Sequence, residues 1–103
     1  MPFEFNKILI ENYNSTLKGD SAIEVQFQIK NYFDTLNVEW NITAAGQTLR
    51  SSAPITLKQG ETTSIKQEIN FTNRGVKPLK ITVFSGNLTD TYSESIRLYS
   101  LES

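Results

Sequence analysis

The stretch Leu36-Asn37-Val38-Glu39-Trp40-Asn41-Ile42-Thr43 alternates strictly between apolar and polar side chains and carries the only tryptophan of the chain. Successive side chains of a β-strand point to opposite faces, so a period of two describes a strand with one face in a core and one in water. A similar run places Ile23, Val25, Phe27 and Ile29 on one phase and polar residues on the other. The two runs predict an antiparallel β-sandwich, with the tryptophan at the centre of its core.

Shorter alternating runs, separated by turn residues, extend this pattern along the chain. They predict about seven strands, drawn from the ranges 3–10, 23–30, 36–44, 47–51, 53–57, 62–72, 79–83 and 91–99. Ala45-Gly46 predicts a hairpin turn, and a change of phase predicts a bulge near Asn6-Lys7. Gln67 shares the inward phase of its strand, so it needs a hydrogen-bond partner or a place at the rim of the core.

The size and charge of the chain limit what it can be. With 103 residues, 38% of them hydrophobic, it can build one modest core, and we expect a single domain over residues 1–103. Ten basic and eleven acidic side chains give a net charge of -1, so no strong field attracts nucleic acid or anionic lipid. No apolar run approaches the ~20 residues that span a bilayer, so we expect no direct membrane insertion by this segment.

Three short motifs give the chain a family resemblance. Lys18-Gly19-Asp20 precedes the strand that ends at Asn31, Val38-Glu39-Trp40 leads to Gly46-Gln47-Thr48-Leu49-Arg50-Ser51-Ser52, and Leu57-Lys58-Gln59-Gly60-Glu61-Thr62 precedes the next long strand. In this succession the chain resembles the CARDB type, the cell adhesion related domain found in bacteria. The resemblance covers most of the chain, from about Phe5 to Tyr99.

The resemblance implies an immunoglobulin-like β-sandwich from a prokaryotic surface protein, including archaeal surface-layer (S-layer) and envelope proteins, with no catalytic residues to transfer. Two segments depart from the family. The acidic closing segment of the family is replaced by residues 87–94, and the small Asn-x-Gly turn after the second strand is replaced by residues 31–35. Antibody domains have a cysteine pair around their core tryptophan, whereas no cysteine pair flanks Trp40.

The lack of histidine and cysteine removes the commonest general base, the commonest metal ligand and the soft nucleophile. Two carboxylates could still hydrolyse glycosides, but the acidic residues fall mostly at outward strand positions or turns, and small sandwiches rarely own a deep cleft. We therefore predict no enzyme, no catalytic residue, no cofactor and no metal site. Asp90 and Glu94, with Asn87 nearby, predict a solvated loop rather than a calcium site.

Four Asn-x-Ser/Thr sequons, at Asn14, Asn41, Asn70 and Asn87, are candidate glycosylation sites. About two would arise by chance, so the excess is mild. Asn41 and Asn70 share the outward phase of their strands. Two interpretations stay open, namely glycan attachment in the native host and a polar β-surface rich in Asn and Thr.

Several aromatic residues fall near predicted strand ends or in loops, namely Tyr13, Tyr32, Phe33, Tyr92 and Tyr99. Loop and edge packing is the common use of such residues, and stacking on a sugar or anchoring a partner is the alternative. Tyr32 and Phe33 are adjacent between two predicted strands, so we expect one ring to plug the end of the core and the other to face solvent. They are the predicted partner contact.

These observations predict a non-catalytic structural or adhesion module, a segment of a larger cell-surface or secreted protein. Its partners would be other surface proteins or neighbouring domains of the same chain. One alternative is a module that binds glycan or protein through Tyr32 and Phe33. Another is an assembly subunit of an archaeal surface filament or envelope, joined to its neighbours by open strand edges.

Overall fold

The computed structural model describes residues 7–19, 22–72 and 75–98. Within these ranges all regular secondary structure is β-strand. The strands are β1 (Ile8–Leu17), β2 (Ala22–Asn31), β3 (Leu36–Ala44), β4 (Gln47–Arg50), β5 (Ile55–Leu57), β6 (Thr62–Asn70), β7 (Gly75–Ser85) and β8 (Leu88–Leu98). The predicted all-β class is confirmed. Across these described ranges, no helix is long and apolar enough to cross a membrane.

Two antiparallel sheets face each other. One has the strand order β1-β2-β6, and the other has the order β4-β3-β7-β8, with β5 also paired to β3. The first part of β3, Leu36–Val38, pairs with β5, and its last residues pair with β4 and β7. This is the immunoglobulin-like sandwich that the alternation predicts, with eight strands in the described residues rather than about seven.

The core lies between the two sheets and consists of the inward-facing apolar residues of their strands. Its buried members are Ile8, Ile23, Val25, Phe27, Ile29, Val38, Trp40, Ile42, Ala44, Leu57, Ile69, Phe71, Leu79, Ile81, Val83 and Ile96. Trp40 is 7% exposed, and its ring meets that of Phe27 edge-on with centroids 6.2 Å apart. This burial confirms the prediction that Trp40 is a central core residue. Each core side chain of this kind stabilises the folded state by about 1.5–3 kcal/mol, because its apolar surface leaves water.

The first strand differs from its prediction. The start of the predicted strand, residues 3–6, lies outside the described residues, and so does Asn6 of the predicted bulge at Asn6-Lys7. β1 starts at Ile8 and continues to Leu17. Its pairing with β2 is irregular between Glu11 and Asn14, where Asn12 takes a φ of 56°. The second half of β1 alternates Tyr13 and Ser15 with exposed polar residues, so it lacks the aliphatic pattern by which strands are recognised.

The last strand also begins earlier than predicted, at Leu88 rather than Thr91. A two-residue turn at Gly86-Asn87 joins it to β7, with Ser85 paired to Leu88. Gly86 has a φ of 60° at the first central position, where type II′ hairpins require glycine. The prediction of a loop around Asp90 and Glu94 is therefore wrong, since both residues lie on a strand.

The expectations for the turn after β3, for Gln67 and for the limits of three further strands hold with small shifts. The Ala45-Gly46 turn joins β3 to β4 as predicted, with φ angles of 50° and 85° that identify a type I′ hairpin. Gln67 is half-buried opposite Val25, and its amide donates to the Glu68 carbonyl oxygen at 3.0 Å. β5, β6 and β7 end or begin a few residues from the predicted limits.

Candidate functional site

A buried asparagine organises the loop in which the predicted partner contact lies. Asn31, fully buried at the end of β2, donates through Nδ2 to the carbonyl oxygens of Asp34 at 2.8 Å and Leu57 at 2.9 Å. Its Oδ1 accepts the Phe33 amide at 2.8 Å. The buried side-chain amide of Asn31 thus has partners for both of its hydrogens and for its oxygen, two of them within residues 32–35 and one on β5.

The same asparagine ties this loop to the turn before β6. The backbone carbonyl oxygen of Asn31 accepts the Gly60 backbone amide at 2.7 Å. The backbone amide of Asn31 donates to the Glu61 carbonyl oxygen at 3.1 Å. Gly60 has a φ of 84°, and the Glu61 carboxylate accepts the Lys58 amide at 2.8 Å. Two loops are therefore joined into one end of the sandwich. Sequence reasoning treated Asn31 only as a polar turn residue and missed this function.

Tyr32 and Phe33 are separated by this loop. Tyr32 is half-buried against the outside of β1, where its hydroxyl donates to Glu11 Oε2 at 2.6 Å and its amide donates to the Lys7 carbonyl oxygen at 2.9 Å. The Lys30 ammonium lies 5.1 Å from the centre of its ring. The hydrogen bond to Glu11 raises the pKa of the Tyr32 hydroxyl, because it favours the protonated form.

Phe33 presents its ring to solvent, with 37% of the residue exposed. Its backbone is held by Asn31, so the ring stands on a fixed loop rather than on a freely moving one. Tyr32 does not belong to the buried core, so the expectation that one of the two rings plugs the core is not met. An exposed aromatic ring on a polar loop can stack on a sugar or receive an apolar side chain.

The four sequon asparagines occupy separate places on the surface. Asn14 and Asn70 are exposed on β1 and at the end of β6, and Asn87 is exposed in the β7–β8 turn. Asn41 is half-buried on β3, between Arg50 of β4 and Thr82 of β7. The structure does not bring them together into one surface patch.

A seam of tyrosines and carboxylates joins β1 to β8, at the side where the two sheets meet. Asp90 Oδ2 accepts the Ile10 amide at 2.8 Å. Further along, the rings of Tyr13 and Tyr92 lie 4.4 Å apart, and both hydroxyls donate to Glu94, at 3.4 Å and 3.0 Å. Sequence reasoning named these residues separately, as loop aromatics and a loop cluster, and missed that they contact one another.

The seam alters the acidity of its tyrosines. Burial raises the pKa of Tyr13 to about 12, and the Glu94 carboxylate beside it acts in the same direction. The hydrogen bond to Glu94 raises the pKa of Tyr92. Both hydroxyls therefore stay protonated donors at neutral pH. Asp90 and Glu94 accept hydrogen bonds from the chain itself, and no group of three or more acidic residues among the described ones is placed to hold a metal ion.

An open depression of about 510 Å³ lies on the sheet formed by β4, β3, β7 and β8, against the β3–β4 turn. Its lining consists of Thr43, Ala45, Gly46, Pro78, Leu79, Lys80, Ser93, Glu94 and Ser95. Lys80 offers a cation and the serines and threonine offer hydroxyls. The Glu94 carboxylate is already engaged by the two tyrosines of the seam.

No protein-family model matches the chain, and a search of the curated proteins finds no match.

Proposed function

We propose that the domain is a non-catalytic structural module of a cell-surface or secreted protein, one that holds other parts of that protein at a fixed separation. The observation that carries the proposal is the direction of the first and last strands. Ile10 lies against Asp90, and Tyr13 lies against Glu94, so β1 and β8 run side by side in the same direction.

Parallel first and last strands take the chain through the sandwich from one end to the other. β1 begins beside Asn31, and β8 ends at Leu98, which is paired with Gly75 at the opposite end. The 11 residues of β8 span about 35 Å at ~3.3 Å per residue. A load applied at one end of the domain is therefore transmitted to the other end along β1 and β8.

The seam supports this role, because it fastens the strand at which the chain arrives to the strand by which it leaves. Pulling the two ends apart loads β1 and β8 in opposite directions. Movement of one strand past the other requires the hydrogen bonds of Asp90 and Glu94 to break together. The resemblance to adhesion domains favours a surface setting.

A domain replacement tests the proposal in the native protein. Residues 7–98 are exchanged for an unrelated β-sandwich whose ends are also about 35 Å apart, and in a second variant for one whose ends lie together. A spacer predicts that the first exchange preserves the display and function of the surface protein and that the second impairs them. Loss of function in both exchanges would contradict the spacer role. Antibody labelling of intact cells tests the surface location in the same strains.

The exposed ring of Phe33 favours a second candidate, a module that binds glycan or protein at the Asn31 loop. Phe33→Ala removes the ring, while Phe84→Ala, which truncates a half-buried phenylalanine on β7, serves as the matched control. A binding module predicts that only the first variant abolishes attachment to a glycan array or to cells. Equal attachment by Phe33→Ala and the parent would remove this candidate.

Glycan attachment at Asn14, Asn41, Asn70 or Asn87 is a further proposal for the native host. Three of these residues are exposed, and Asn41 lies between two paired strands, so Asn14, Asn70 and Asn87 are the favoured acceptors. Mass spectrometry of peptides from the native protein tests this. Unmodified peptides at all four positions would contradict it.

A further inference from the structure

We propose that β6 is an interaction surface for a second copy of this chain, and that two β6 strands pair antiparallel, with Gln67 opposite Gln67. The two three-stranded sheets would then become one sheet of six strands. This inference goes beyond the spacer role. It begins from the position of β6, which is an outer strand: among the described strands it pairs with β2 on one side, and none of them pairs with its other side.

β6 lacks the proline, the bulge and the short length by which many sandwiches protect their edges, although it carries a lysine, Lys66, which is another such feature. It has nine residues with no proline, and its pairing with β2 is regular from Thr62 to Asn70. The other outer strands of the described part of the chain differ from it. β8 is long and regular like β6, but it and β1 contact each other through the seam, and β1 is also irregular at Asn12. β4 and β5 have only four and three residues.

The backbone groups that point away from β2 belong to the even-numbered residues of β6. The Asn31 amide donates to the Glu61 carbonyl oxygen in register with the strand pairing, so the odd residues face β2. Consistently, the carbonyl oxygens of Glu68 and Asn70 are reached by the side-chain amides of Gln67 and Gln47. Each carbonyl oxygen has a second lone pair for another donor.

Charge complementarity favours the register in which both charged side chains of each edge face an opposite charge. The exposed side chains along the edge include one cation, Lys66, and one anion, Glu68. With Gln67 opposite itself, Lys66 of each copy faces Glu68 of the other, so two pairs of opposite charge form. A shift of the two-fold centre to Lys66 or to Glu68 places like charges opposite each other, which is destabilising in a sheet.

The same register aligns hydrogen bonding and apolar surface. Lys66 and Glu68 are both even residues, so their free amides and carbonyl oxygens meet as a hydrogen-bonded pair. Ile65, which is half-buried, then faces Ile69 of the second copy beneath them. Because the pairing is antiparallel, the long axis of the second copy is reversed. Two paired copies therefore place the Asn31 end of each one toward the Gly75 end of the other.

Sedimentation equilibrium of the whole chain tests the pairing through charge reversal. Lys66→Glu or Glu68→Lys alone places like charges opposite each other twice, and we expect the dimer Kd to rise about tenfold. An equimolar mixture of the two variants restores opposite charges, as does the double variant, so both should recover the parent Kd. Lys80→Glu, an exposed reversal on the other sheet with the same change in net charge, is the matched control and should leave the Kd unchanged.

Amide hydrogen exchange at low and high protein concentration gives the register directly. The amides of Ser64, Lys66 and Glu68 should gain protection in the dimer, while that of Gln67, already bonded to β2, should not change. A chain that remains monomeric at about 1 mM, a Kd indifferent to reversal at Lys66 and Glu68, or protection at other strands would each overturn the proposal. The domain exchange described above reports on the spacer role independently.

Discussion

Trp40 illustrates how much of the fold depends on one side chain. Its ring is buried between the sheets and packs edge-on against Phe27. Trp40→Ala should lower the free energy of unfolding by about 3–5 kcal/mol, since it removes buried area and leaves a cavity. Trp40→Phe, which keeps an aromatic ring, should cost less. Urea denaturation measures both.

Trp40 fluorescence provides the control, because the chain has one tryptophan. The folded protein should emit at short wavelength, as a buried indole does, and shift to long wavelength on unfolding. A Trp40→Ala variant as stable as the parent, or a folded protein with the emission of an exposed indole, would contradict the strand register.

Ala45 is held in a conformation that its side chain disfavours. It has a φ of 50° in the type I′ turn, where asparagine followed by glycine is the preferred pair. Ala45→Asn should stabilise the domain by about 0.5–1 kcal/mol by relieving this strain. Gly46→Ala, at a φ of 85°, should destabilise it. Thermal unfolding tests the two opposite directions, and a lower Tm for Ala45→Asn would show that the turn type is wrong.

Tyr13 makes the stability sensitive to alkali. Its pKa, raised by burial to about 12, exceeds the value of 10.0 for a free tyrosine, so the folded chain holds the proton more tightly. The corresponding stability is present below pH 10 and is lost as the pH rises from 10 through 12. In Tyr13→Phe this alkaline loss should be shallower, as measured by urea midpoints between pH 9 and 11. Parallel curves for parent and variant would contradict the burial of this hydroxyl.

At the scale of strands, the seam is the contact that joins β1 to β8. Asp90→Ala removes the acceptor of the Ile10 amide and should destabilise the domain by about 1–2 kcal/mol. Asp90→Asn keeps an oxygen acceptor and should lose less. Thr91→Ala, an exposed neighbour on the same strand, is the control. If urea unfolding finds Asp90→Ala no worse than Thr91→Ala, the seam does not hold these strands together.

The strands that could be predicted from sequence are those with aliphatic inward faces. β2, β3 and the centre of β7 alternate cleanly, because their inward side chains pack in the core. β1 and β8 differ, because they place the polar or aromatic side chains of Tyr13, Asp90, Tyr92 and Glu94 at the seam where the two strands meet. Across the seam, Asp90 accepts the Ile10 amide and Glu94 accepts the Tyr13 hydroxyl. These contacts join residues about 80 positions apart, so no local pattern reveals them.

The candidate site was predictable to a similar degree. The pair Tyr32-Phe33 stood out as adjacent aromatics in a loop, and Phe33 is indeed exposed. The function of Asn31 could not be read from the sequence, because it depends on the carbonyl oxygens of Asp34 and Leu57, and the latter belongs to another strand. An asparagine at the end of an otherwise apolar phase is the one signal that could have suggested it.

The path of the chain is the feature of the whole molecule that supports the proposed spacer role. β1 and β8 lie at the junction of the two sheets and run in the same direction, so the described chain crosses the sandwich from the Asn31 end to the Gly75 end. The long axis of the Cα trace is 58 Å against 28 and 19 Å for the others. An elongated unit that is crossed end to end is consistent with the proposed spacer role, and the β6 edge along its side is consistent with the proposed antiparallel pairing.

A distance measurement between the two ends tests this path most directly. The chain has no native cysteine, so Lys7→Cys and Arg97→Cys give two clean positions for spin labels. Both residues are exposed, at opposite ends of the parallel strands. Pulsed electron spin resonance on dilute, monomeric protein should give a distance of about 35 Å, the length of β8. A distance below about 20 Å would place the two ends together, and the domain could not then act as a spacer crossed from end to end.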